Sequence, residues 1–134
     1  WTITMFGPEG TPYDEGMFQA VMAFPPNYPY SPPTLTFTTK VWHPNVYMDG
    51  RVCISILHEP GDDPHNYEDA GERWSPVQTV ESILVSVLSM LSSPNADSPA
   101  NIEAAVEMRT DYPKFRKKVR QFINDSENDI AKAA

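Results

Sequence analysis

The middle of the chain holds a short stretch whose residue types could carry out acyl-transfer chemistry. Residues 43–57 read HPNVYMDGRVCISIL and include the only cysteine of the chain, Cys53. The apolar residues around Cys53 are typical of a buried structural thiol, since free cysteine is among the most buried residue types. The polar run His43-Pro44-Asn45 and the loop-forming residues on both sides instead favour a thiol near the surface, where reactive cysteines lie. Both interpretations stay open on these residues alone.

Three kinds of chemistry are open to a cysteine in this setting. A protease-like dyad needs a histidine to deprotonate the thiol, and His43 is the candidate base. It immediately precedes a proline, which forces the backbone to be extended, so we expect His43 to bond backbone groups instead. Metal binding is disfavoured because the three histidines and one cysteine lack metal-ligand spacing. A thiol that carries an acyl group passively needs only access and an oxyanion donor, which the amide of Asn45 could supply.

The composition limits the class of protein. With 134 residues, of which 40% are hydrophobic, the chain is expected to form one domain over residues 1–134. A net charge of −8 disfavours nucleic acid as a partner. No apolar run reaches the roughly 18 residues of a membrane span. A single cysteine fits a reducing compartment, so we expect a cytoplasmic or nuclear location. Trp1 already lies in a strand-like pattern, so we expect a further segment to precede it.

Hydrophobic periodicity predicts strands first and helices afterwards. Alternation over residues 1–6, 18–24 and 34–38 predicts an antiparallel meander, and a short strand around Cys53 brings the sheet to about four strands. Helical periodicity follows over residues 77–91, with Ser75 or Thr79 as the N-cap, and then near 100–108 and 112–128. The predicted fold class is therefore α+β. Charges are uneven: an acidic segment over residues 58–73 contrasts with basic residues on the last helix, and solvation explains both.

Several motifs in the same order resemble the ubiquitin-conjugating enzyme (E2) family. They are HPN eight residues before Cys53, WSP at residues 74–76, and the segments GPEGTPY, FPPNYPYSPP and SPNADSPAN. The resemblance implies the UBC fold, with residues 77–91 as its crossover helix and with the family's first helix absent before Trp1. The insertion 58–73 is similar to the acidic loop of the cell-division-cycle type, which works with cullin-RING ligases, and to that of the type serving endoplasmic-reticulum degradation. The phrases VQTVESIL and SPANIEAAVEMR favour the first type.

The resemblance also implies roles for individual residues. Cys53 would accept ubiquitin as a thioester from an activating enzyme and pass it to a substrate lysine. Asn45 would steady the oxyanion or hold the loop, while His43 would be structural. Tyr47 and Ser98 would line the groove for the incoming lysine. Where many relatives carry acids, this chain has Ser55 and Ser98, and the acidic loop could compensate through residues placed over the site: Asp62, Asp63, Glu68 and Asp69.

Partner surfaces follow from the same resemblance. The expected ligase-docking residues are Tyr30, Ser75, Pro76 and Val77, and donor ubiquitin would dock on Val85 and Ser89. The expected partners are ubiquitin, an activating enzyme, a RING-type ligase and substrate lysines. No cofactor is expected, since ATP is used by the activating enzyme. The alternatives are an E2 for another ubiquitin-like modifier such as SUMO, a non-catalytic ubiquitin-binding variant, which the intact HPN and cysteine disfavour, and the protease.

Overall fold

The elements of the fold follow the predicted order of strands and then helices. The computed structural model describes residues 1–59, 73–95 and 99–133. Its strands are β1 (Thr2–Phe6), β2 (Met17–Ala23) and β3 (Thr34–Phe37), followed by a short 3-10 turn, Ser55–Leu57. Its helices are α1 (Val80–Ser92), α2 (Ile102–Thr110) and α3 (Tyr112–Ala133). The α+β class predicted from periodicity is confirmed.

The three strands form an antiparallel meander in the order β1-β2-β3. Met5 faces Phe18 across the first pair, and Ala20 faces Phe37 across the second. Alternate residues of β2 are buried and their neighbours exposed, because successive side chains point to opposite faces of a strand. The predicted inward face of this strand is confirmed, and its side chains join residues of all three helices in one core.

The fourth strand predicted around Cys53 is absent from the described residues. The chain there makes only two isolated bridges, Thr36 with Arg51 and Val46 with Val52. The physical reason is that the segment has two partners: its backbone hydrogen bonds alternate between β3 and the loop that follows His43, so neither side forms a continuous ladder. Cys53 therefore lies on an irregular extended segment that ends in the 3-10 turn.

Helix α1 begins three residues later than the periodicity predicted. Thr79 is its N-cap, and the side chains of Thr79 and Ser82 form a reciprocal capping box. The preceding residues form a turn closed by a hydrogen bond from Gln78 N to Ser75 O. The helix buries Ile83, Val87, Met90 and Leu91. The prediction that Leu88 faces the core is wrong, since 38% of this residue is exposed.

The two C-terminal helices lie close to their predicted positions. Asp111 separates them, and its carboxylate accepts a hydrogen bond from Lys114 N at the start of α3. Phe115, Val119 and Ile123 of α3 are buried as predicted, whereas Tyr112 is 48% exposed. Among the described residues, no helix combines the length and apolarity that crossing a membrane requires.

Candidate active site

His43 fastens the HPN loop to helix α1. Its side chain is fully buried, and Nε2 donates a hydrogen bond to Met90 O at 2.8 Å. Nδ1 accepts a hydrogen bond from Asn45 N at 2.9 Å. Burial lowers the pKa of His43 to about 4, although the bond to Met90 opposes this shift. The ring is therefore neutral near pH 7, with both nitrogens engaged inside the loop.

Asn45 links the loop to the segment after α1. Its Nδ2 donates to Asn95 O at 2.7 Å, and its Oδ1 accepts from Asn95 N at 2.8 Å. Its backbone oxygen accepts a hydrogen bond from Cys53 N at 2.9 Å. The residue is 2% exposed, so these bonds replace the hydrogen bonds that its polar groups would otherwise make to water. Asn45 thus holds both the cysteine backbone and the opposite wall, while its oxyanion role remains a prediction.

Cys53 is partly exposed, and the histidine beside it is His58 rather than His43. The sulfur of Cys53 lies 3.9 Å from Nε2 of His58. The 3-10 turn folds the chain back on itself, with His58 N donating to Ser55 O at 2.9 Å. Sequence reasoning missed this residue as a site member and treated it only as the beginning of the acidic segment. Its position five residues after Cys53 was a weak signal, because the sequence did not show that a 3-10 turn lies between them.

The groove predicted for the incoming lysine is described only on one side. Tyr47 is 38% exposed, and the guanidinium of Arg51 lies 4.5 Å from the centre of its ring. Arg51 also pairs with the carboxylate of Asp49 at 2.8 Å. Ser55 is half-buried in the 3-10 turn. The remaining groove and acidic-loop residues lie outside the described residues: Ser98, Asp97, Asp62, Asp63, Glu68 and Asp69.

The residues predicted to dock a ligase lie on two neighbouring loops. Tyr30 is 73% exposed on the first loop and Val77 is 85% exposed on the second, beside exposed Pro76 and half-buried Ser75. Trp74 joins the loops, since its indole N–H donates to Pro29 O at 2.8 Å. This hydrogen bond connects the two loops that carry the four residues, and what they bind remains a prediction.

The residues predicted to dock ubiquitin lie on an exposed face of α1. Val85 is 56% exposed, and Ser89 lies one turn further along the helix. They line a shallow groove of about 480 Å³ that Leu88 and Phe6 also line. Phe6 and Leu88 were not predicted for this surface, because Phe6 comes from β1 and Leu88 was assigned to the core. Within the described ranges, no cluster of histidine, cysteine and acidic residues could hold a metal ion.

Comparisons with known proteins show the family of the chain. The model of the family described as ubiquitin-conjugating enzyme matches residues 1–123. Ubiquitin-conjugating enzyme E2 14 of Arabidopsis thaliana is 61% identical over 127 residues, which cover 95% of this chain and 76% of that protein. Ubiquitin-conjugating enzyme E2 15 of Schizosaccharomyces pombe is 56% identical over 126 residues, covering 94% and 75% of the two chains. Ubiquitin-conjugating enzyme E2 G2 of Homo sapiens is 52% identical over 126 residues, covering 94% and 76%. These names specify neither a ligase nor a cellular process.

Proposed function

The chain belongs to the ubiquitin-conjugating enzyme family and is a ubiquitin transferase, and from this we propose that Cys53 carries ubiquitin as a thioester and delivers it to substrate lysines together with a RING-type ligase. The observation that carries the proposal is the setting of the thiol. Cys53 is partly exposed, its backbone is bonded to Asn45, and Asn45 is bonded to the opposite wall at Asn95. Such a site holds an acyl group in a fixed place, which is what transfer to an amine requires.

Two displacements at the same carbonyl make up the reaction. In charging, the sulfur of Cys53 forms a bond to the carbonyl carbon of ubiquitin's C-terminus, and the cysteine sulfur of the activating enzyme leaves. In discharge, the lysine nitrogen bonds to that carbon, the C–S bond breaks, and the electron pair returns to Cys53. Asn45 would steady the oxyanion or hold the loop, and its contacts with Asn95 support the second role. His43 would be structural, since both of its ring nitrogens are engaged.

The attacking lysine must lose a proton, although its usual pKa is near 10. We propose that acidic side chains of residues 58–73 help to remove it: Asp62, Asp63, Glu68 and Asp69. The support is the composition of this segment, together with Ser55 and Ser98 at positions where the family resemblance implies an acid. A variant with these four acids changed to Asn or Gln should keep its charging rate and discharge to free lysine more slowly. Unchanged discharge and chain-building rates would remove this part of the proposal.

The proposed partner surfaces lie on the two loops and on the face of helix α1 described above. A RING-type ligase would dock on Tyr30, Ser75, Pro76 and Val77, because an exposed aromatic residue held between prolines loses little entropy on binding. Donor ubiquitin would dock on Val85 and Ser89. Tyr47 would pack against the incoming lysine.

Three further points belong to the same proposal. The chain would form a single catalytic domain over residues 1–134, it would need no cofactor, and it would work in the cytoplasm or the nucleus.

The subtype within the family is also a proposal. The acidic segment supports an enzyme of protein degradation, with the cell-division-cycle type and its cullin-RING ligase proposed first and the endoplasmic-reticulum type as the alternative. Purified ligases decide between them. Faster lysine discharge with a cullin-RING complex than with the RING domain of an endoplasmic-reticulum ligase supports the first type, and the reverse order supports the second.

Charging in vitro tests the central proposal. The protein is incubated with ubiquitin-activating enzyme, ubiquitin and ATP, and the products are separated with and without a reducing thiol. We expect an adduct that the thiol removes, no adduct with Cys53→Ala, and a thiol-resistant ester with Cys53→Ser. The same assay with SUMO and its own activating enzyme tests the choice of modifier. An adduct on Cys53→Ala, or none on the unmodified protein, would show that Cys53 is not the acceptor.

A further inference from the structure

A short chain of contacts links the cysteine sulfur to the proposed ligase-docking loops. The first contact joins Cys53 Sγ to His58 Nε2 at 3.9 Å, a distance compatible with a hydrogen bond to sulfur. The backbone of His58 is held from two sides. Its N–H donates to Ser55 O, and its carbonyl accepts from Trp74 N at 3.2 Å. The imidazole therefore stands beside the sulfur on a backbone that the fold holds in place.

Trp74 is the residue through which both loops meet this backbone. Its side chain is 1% exposed, so water does not replace its hydrogen bonds. Its indole N–H donates to Pro29 O at 2.8 Å, and its ring lies against that of Tyr28, with 5.9 Å between ring centres. Pro29 immediately precedes the exposed Tyr30. A displacement of either docking loop therefore acts on the residue that holds the carbonyl of His58.

From this geometry we propose that His58 is a catalytic residue that stabilises the sulfur of Cys53 as it leaves the thioester, and that Trp74 is the positioning residue that holds His58 and ties it to the ligase-docking loops. The inference rests on the proposed function, since it concerns the same thioester. When the lysine nitrogen attacks, a C–N bond forms, the C–S bond breaks and its electron pair goes to the sulfur. The N–H of His58 donates a hydrogen bond to this thiolate, while the proton of the amine passes to the carboxylates proposed above. A better stabilised sulfur leaves faster.

The first test needs neither ubiquitin nor a ligase. Alkylation of Cys53 by iodoacetamide reports how well its surroundings stabilise the thiolate, and the reaction is followed by intact-protein mass spectrometry. We expect His58→Ala to slow alkylation about fivefold and Trp74→Phe to slow it about twofold. His58→Gln should recover part of the rate, because its amide N–H can still donate. Alkylation of His58→Ala at the rate of the unmodified protein would overturn the inference.

A matched control separates this effect from the loss of any buried indole N–H. Trp42 is 2% exposed, and its indole N–H donates to Glu107 of helix α2 at 3.1 Å. Trp42→Phe removes the same group as Trp74→Phe and should leave alkylation unchanged. Urea midpoints of both variants show whether each is folded. Equal slowing by both substitutions would mean that Trp74 acts only through general stability, which would overturn its positioning role.

The second test uses the ubiquitin-charged protein and free lysine. His58→Ala should slow discharge several-fold, and adding Trp74→Phe to it should have little further effect, because both act through one contact. With a RING domain titrated into the assay, Trp74→Phe should lower the maximal discharge rate and leave the half-saturating concentration unchanged. Independent effects of the two substitutions, or a change only in the half-saturating concentration, would count against the link. A normally charged Cys53 with discharge insensitive to His58 would remove the inference and leave the proposed function intact.

Discussion

The side-chain amide of Asn45 and the backbone of Asn95 form a reciprocal pair of hydrogen bonds, although 50 residues separate them in the chain. The same Asn45 accepts a hydrogen bond from Cys53 N through its backbone oxygen. One residue therefore links the cysteine segment, through its backbone, to the segment that follows helix α1, through its side chain. The asparagine of the HPN motif therefore connects the two sides of the site by hydrogen bonds.

Removing the side chain of Asn45 should affect both the stability of the fold and the transfer of ubiquitin. Asn45→Ala removes both side-chain hydrogen bonds to the backbone of Asn95, and we expect the free energy of unfolding to fall by about 2 kcal/mol. Lysine discharge should slow more than charging, because discharge depends on the shape of the groove. Urea denaturation and single-turnover discharge measure the two effects. Asn27→Ala removes an exposed amide that donates to Ser31, and it serves as the control. If discharge and charging slow equally, Asn45 does not shape the groove for the lysine.

The buried His43 predicts a pH dependence of stability. Its pKa is about 4 in the folded protein and has its usual value of 6.5 when the chain unfolds. The unfolded chain therefore binds the proton more readily, and protonation between these values favours unfolding. The contribution of neutral His43 to the free energy of unfolding is fully present above about pH 7. It falls by roughly 3 kcal/mol as the pH drops to 4. His43→Gln should flatten this fall. Thermal or urea unfolding between pH 4 and 7 measures the difference, and parallel curves for both proteins would contradict the prediction.

The exposed Tyr30 should affect only ligase-dependent transfer. Tyr30→Ala removes the proposed anchor, and we expect the half-saturating concentration of a RING domain to rise about tenfold. Charging and ligase-free discharge should stay as they are, because Tyr30 contributes nothing to the core. Tyr112→Ala is the matched control, since Tyr112 is 48% exposed at the beginning of α3. Equal effects of the two substitutions would show that Tyr30 is not a specific anchor.

The apolar face of α1 should be sensitive to charge. Val85→Asp places a carboxylate in the groove proposed for donor ubiquitin, where desolvation of a charge is costly. We expect normal charging and a discharge rate about fivefold lower, because the thioester-linked ubiquitin is held less often against the helix. Val106→Asp on α2, at a site 42% exposed, is the control. Single-turnover discharge to lysine measures both. A normal rate with Val85→Asp would place donor ubiquitin elsewhere.

The N-terminal cap of α1 offers a test of the fold alone. Thr79→Ala removes the side-chain acceptor for Ser82 N, and we expect the free energy of unfolding to fall by about 1 kcal/mol. Thr110→Ala deletes a hydroxyl that donates to Val106 O at the exposed end of α2, and should cost less than about 0.5 kcal/mol. Urea midpoints compare the two variants. Similar losses would mean that the capping box contributes little.

Much of the architecture could be predicted because local patterns determine it. The alternation of apolar residues in β2 and their helical spacing in α3 indicate which side chains are buried. The predicted residues are indeed buried: Phe18, Met22, Phe115 and Val119. The motifs around Cys53 also identified the family. The predicted strand around Cys53 was wrong, because apolar spacing does not show whether a segment pairs with one strand or divides its hydrogen bonds between two partners.

The sequence by itself determined the fold class, the order of the elements, the family and the single cysteine available for chemistry. Only the tertiary structure decided which histidine stands beside that cysteine. The ring of His43 donates its hydrogen bond to Met90 O, 47 residues distant in the chain. The 3-10 turn instead places the ring of His58 beside the sulfur of Cys53. The physical reason is that hydrogen bonds between distant segments depend on how helices and loops pack, whereas periodicity reports only which face of each element avoids water.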